Sequence, residues 1–150
     1  MGTSNTENGD SCDVVGPESE PYKREIEEFV KHCIPTLFPK KSSVSISVFL
    51  TDDQGITKLN KEYRDTPVPT DVLSFEDDFT SPEGIYHAGD IAISVTFAKE
   101  TKDERPLDEY ILFLVAHGLL HLSGVHHDDE SSRCKVIEMG ESLLRGFHES

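Results

Sequence analysis

The sequence predicts an α+β fold, a small mixed sheet packed with helices around one central, buried helix. Three observations predict it. Residues 107–122 form a long apolar run (Leu107, Tyr110 to Ala116, Leu119, Leu120, Leu122) that covers most of a helix circumference, the mark of a helix buried at the centre of a core. Val44, Ile46, Val48 and Leu50 alternate with small polar residues, as a half-buried strand does. Short segments at 71–75 and 90–94 read as two more strands, set between stretches of helical periodicity.

The remaining elements follow from local chemistry. Residues 22–33 place Ile26, Phe29, Val30 and Cys33 at helical spacing, and Pro35 and Pro39 are read as its end. Thr51 or Asp52 can cap a helix running through Tyr63. An acidic loop with Pro82 and Gly84 joins the second and third strands, and a helix near 95–102 precedes the apolar one. Pro106 opens that helix, with Asp108 and Glu109 in the first turn where the dipole favours acids. A last amphipathic helix spans about 129–146, with Met139 read as a core residue.

Length and composition bound the domain organisation. A chain of 150 residues allows one domain, taken as 21–150. Residues 1–20 hold five acids and no Lys or Arg, and are read as a disordered acidic tail. No apolar run is long enough to cross a bilayer and no secretory signal opens the chain, which points to a cytoplasmic protein with no membrane partner. Cys12, Cys33 and Cys134, odd in number and widely spaced, suggest free thiols. The net charge of −15 opposes nucleic-acid binding through the overall field, so any affinity for a polyanion requires a local patch. Two basic stripes, Lys58–Lys61–Arg64 and Lys99–Lys102–Arg105, are candidates.

The chemistry lies at the end of the apolar helix. His117 and His121 are four apart, so they share one helix face, and Gly124 permits a left-handed turn that folds the chain back toward His127. Three imidazoles with an open fourth position are the ligand set of a catalytic metal, a zincin-like arrangement. Zinc suits three imidazoles, and nickel or iron is compatible with them. The competing reading is a set of core histidines satisfied by hydrogen bonds. His126 is read as lying outside the ligand set. The spacing also matches the peptidase pattern H-E-x-x-H-x-x-G-x-x-H, but Gly118 stands where its general base would be. Gly118 is read equally as room for a substrate and as tight helix packing. Asp71 and Asp90 could orient an imidazole, and turn capping is the preferred role for both.

Three blocks carry a family resemblance. They are His117 to His127 (HGLLHLSGVHH), Leu59 to Arg64 with Pro69 to Phe75 (LNKEYR…PTDVLSF), and Gly89 to Ser94 (GDIAIS). Together they resemble the YbeY family of metal-dependent, single-strand-specific endoribonucleases, with His126 standing where that family has Asp. The resemblance implies an α+β domain with a metal cleft open on one side. It also implies catalytic roles for Arg64 and His117, with Arg64 suited to clamp a phosphodiester. The implied work is rRNA maturation at the 16S 3′ end and ribosome quality control. The implied partners are single-stranded RNA, the ribosome or its small-subunit proteins, and no DNA. A metallopeptidase-like hydrolase and a non-catalytic ribosome assembly factor with a structural metal are the alternatives.

Overall fold

Alternation in β2 (Val44–Thr51) sends Val44, Ile46, Val48 and Leu50 to one side, where all four are fully buried. The computed structural model describes residues 9–64, 71–125 and 129–150, which form a four-stranded mixed sheet and five α-helices. β1 (Ser11–Val15) runs parallel to β2, and β2 runs parallel to β4 (Tyr86–Ser94). β3 (Val72–Thr80) pairs antiparallel with β4, giving the spatial order β1-β2-β4-β3.

The helices are α1 (Lys23–Leu37), α2 (Asp53–Arg64), α3 (Val95–Thr101), α4 (Leu107–Leu122) and α5 (Glu130–Glu149). The predicted central helix forms as read. Ile111, Leu112, Val115, Ala116, Leu119 and Leu120 of α4 are at most 1 % exposed. All but Leu120 join α1 in the main core, on the sheet face that carries Ile46, Val48, Ile91 and Ile93. A smaller cluster of Ile56, Leu73 and Ala92, flanked by Phe49, Leu59 and Phe75, joins α2 to the sheet. Asp52 caps α2, its carboxylate accepting the Gly55 N–H at 2.9 Å. Among the described residues no helix is long and apolar enough to cross a membrane.

Several expectations need correction. The segment read as a tail through Glu20 contains β1, which buries Cys12 and Val14 against α1 and β2. Two inward residues are too few to stand out by composition, and their partner lies more than thirty positions away. Residues 1–8 lie outside the described ones. α1 runs through Pro35 to Leu37, because a proline in the last turn removes only one ladder bond and the Phe38 N–H still reaches the Ile34 carbonyl at 2.8 Å. β3 continues through Glu76, Asp77 and Asp78, which were read as loop. As an edge strand it leaves them in solvent, where charge also guards the edge against further pairing. Met139 is 40 % exposed rather than core, because α5 turns Val136, Gly140 and Leu144 inward.

Candidate active-site cleft

The histidine helix ends in a Schellman turn. The Val125 N–H donates to the Leu120 carbonyl (2.9 Å) and the Gly124 N–H to the His121 carbonyl (3.1 Å), with Gly124 at φ +103°. The helix therefore stops at Leu122 and Gly124 takes the positive-φ turn that the sequence predicts. His117 and His121 stand half-buried on one flank, rings nearly parallel (17°) with centroids 6.3 Å apart. Two imidazoles one turn apart, beside a helix-ending turn, fit two nitrogen donors of a divalent metal. His126 and His127 lie outside the described residues.

Gly118 is explained by packing. It faces β4, and a Cβ at this position would lie 2.8 Å from Ile91 Cγ2. Glycine here lets the helix backbone settle onto the sheet. A glutamate, the peptidase base, has no room at this position.

α2 carries Arg64 and is held at both ends. At its start, Asp53 accepts the Ser94 hydroxyl at 2.8 Å, and the same Ser94 oxygen caps α3 by accepting the Phe97 N–H at 3.1 Å. At its end, Arg64 Nη2 donates to the Ser74 carbonyl of edge strand β3, and the guanidinium sits 5.4 Å from the Phe75 ring centre. These ties bring Arg64 to a cavity of about 910 Å³, whose lining includes His121, Asp90, Glu76, Phe75 and Tyr63. Two sequence-predicted residues from opposite parts of the chain, Arg64 and His121, thus share one cleft. His117 lies one turn behind His121 along the helix.

The sequence favours a turn role for Asp90, and the structure differs. It lies inside β4, opposite Ser47 of β2 and Phe75 of β3, and lines the cleft. Partial burial raises its carboxyl above the ordinary aspartate value, and the nearby Asp77 charge adds to the shift. Asp71 stands just before β3. Its carbonyl accepts the Ser94 N–H (3.0 Å), and its carboxylate accepts the Tyr110 hydroxyl of α4 at 3.4 Å. Of the basic stripes, Lys58 and Lys61 are exposed and line a separate shallow hollow. Arg105 is tied to Asp103 and Glu141 over the Phe113 ring, and α3 stops at Thr101, so the second stripe does not form on one helix. Sequence reasoning missed Tyr63, Phe75 and Asp90 as cleft residues, although all three lie within the blocks that carry the resemblance.

Residues 9–148 match the family Endoribonuclease YbeY. The chain is 38% identical over 128 residues to the endoribonuclease YbeY of Treponema denticola, covering 81% of each protein. It is 34% identical over 148 residues to that of Picosynechococcus sp., covering 93% of this chain and 90% of that one. The fold also resembles the solution structure of TM1509 from Thermotoga maritima, with a TM-score of 0.55 at 23% identity over 90% of this chain and 92% of that one. The chain belongs to the endoribonuclease YbeY family of RNA-cleaving hydrolases.

Proposed function

We propose that this protein is a metal-dependent endoribonuclease that hydrolyses single-stranded RNA in the cytoplasm. Its substrate is ribosomal RNA, its step the maturation of the 16S 3′ end and ribosome quality control, and its partners the ribosome and small-subunit proteins. The observation that carries the reading is the shared cleft of Arg64 and His121.

His117, His121 and His127 would hold the metal, zinc by the nitrogen chemistry of the set, with nickel and iron compatible. When bound, it supplies Lewis acidity for phosphodiester hydrolysis. Arg64, steadied by the Ser74 carbonyl, holds a phosphate oxygen and stabilises the negative charge developing on the phosphoryl oxygens.

The test incubates metal-loaded protein with a single-stranded RNA, the same RNA annealed to its complement, and casein, beside Arg64→Ala. Cutting of the single strand alone, reduced ~100-fold or more in the variant, supports the proposal. Cleavage of casein would favour the peptidase reading, against which Gly118 packed on Ile91 already stands. No cleavage of either, with ribosome co-sedimentation intact, would leave an assembly factor.

A further inference from the structure

Tyr63 is the most exposed large apolar residue among those described, at 63 %. A single exposed ring needs no explanation. This one is part of a surface. Its ring lies 5.3 Å from Phe75, centre to centre, at 59°, and Phe75 in turn carries the Arg64 guanidinium. Phe49, Leu59 and the 49 %-exposed Val15 extend the apolar wall of the same cleft. An aromatic shelf therefore adjoins Arg64, the one arginine among the described residues of the cleft lining.

Charge says what this shelf is for. A protein of net charge −15 cannot draw RNA in by its overall field, and Glu76 and Asp90 of the cleft lining repel phosphates as well. Beside the local charge of Arg64, a contact that does not depend on charge adds affinity that the overall field withholds. Stacking of bases on aromatic rings is such a contact, and it accepts any base because every base has a π face.

We propose that Tyr63 and Phe75 form a base-stacking subsite that takes one unpaired nucleobase while Arg64 holds the phosphate next to it. The inference rests on the ribonuclease reading and deepens it, since it supplies the selection for single strands. In a duplex each base face is covered by its neighbours and side chains cannot read the deep groove of A-form RNA, so the shelf has nothing to grip. Tyr63 is then a substrate-binding residue and Phe75 a positioning residue that backs both the tyrosine ring and the arginine.

The experiment uses the full chain with a non-cleavable 2′-O-methyl single-stranded oligonucleotide carrying 2-aminopurine, whose fluorescence falls on stacking. A parallel measurement follows kcat and KM on the cleavable RNA. Wild type and Tyr63→Phe should quench the probe, and Tyr63→Ala should not. Tyr63→Ala should raise KM roughly ten-fold while kcat changes much less. An abasic nucleotide at the stacked position should cost wild type about the same factor and cost Tyr63→Ala nothing further. Unaltered circular dichroism shows that the exposed ring was not a folding element. Equal quenching by Tyr63→Ala, or abasic and alanine losses that multiply, would overturn the subsite and leave the ribonuclease reading standing. Wild type that neither binds nor cuts single-stranded RNA would overturn both, as would apolar peptide filling the cleft in its place.

Discussion

Gly118 of α4 lies so close to Ile91 of β4 that the smallest side chain added to it would come within 2.8 Å of the isoleucine methyl. The contact seats the histidine helix on the sheet. It also explains why the base of the peptidase motif is missing here: the space it would need is filled by the core.

That contact predicts the sign of a substitution that helix propensity alone would get wrong. Gly118→Ala gains about 1 kcal/mol of intrinsic helix preference. It must also push aside a fully buried Ile91, and overpacking of this kind costs about 1–3 kcal/mol. We expect a net loss in urea denaturation, and no such loss when Gly118→Ala is added to an Ile91→Ala background and compared with Ile91→Ala alone. A Gly118→Ala variant as stable as wild type would show that the helix can lift off the sheet freely.

The ligand pair predicts a link between metal and stability. His121→Ala should lose stoichiometric zinc by elemental analysis, and its melting temperature should no longer respond to chelator. Wild type should melt lower after chelation and recover on adding zinc, because a ligand that binds only the folded state stabilises it by mass action. One tightly held ion per chain in the variant would remove His121 from the site.

Asp90 predicts a pH dependence. Its carboxyl holds its proton more tightly in the folded protein than in the unfolded chain, first through burial and then through Asp77. Its ionisation therefore costs stability, with no cost below the ordinary aspartate range and the full cost above the raised folded-state value. Metal-free Asp90→Asn should melt higher than wild type at neutral pH, and the gap should close as pH falls toward ~3. A gap that widened on acidification would contradict the assignment.

The thiols predict a reactivity pattern. Cys12 and Cys33 are 6 % and 0 % exposed, and burial pushes each thiol up to about 12, with Glu27 and Asp13 adding to the effect at Cys12. Both remain protonated and inert at neutral pH, whereas Cys134 is exposed on α5. Ellman's reagent should find one fast-reacting thiol per native chain and three after unfolding. Fast reaction of Cys12 in native protein would mean that β1 detaches from the sheet.

Much of this protein was decided by short-range pattern. The apolar run of α4, the alternation of β2, the His117–His121 spacing and the Gly124 stop are properties of neighbours along the chain, and the structure repeats them. The family resemblance was equally legible, because its blocks are short and contiguous. What only the tertiary structure decided is what depends on distant partners. β1 exists because β2 offers it an edge. Asp90 faces a cleft because its register opposite Phe75 and Ser47 says so. Gly118 is glycine because of Ile91, and Tyr63 meets Phe75 only once α2 packs on the sheet. Periodicity along one segment reports which face is apolar, but not what that face will meet. The meeting is set by burial and pairing between segments far apart in the chain.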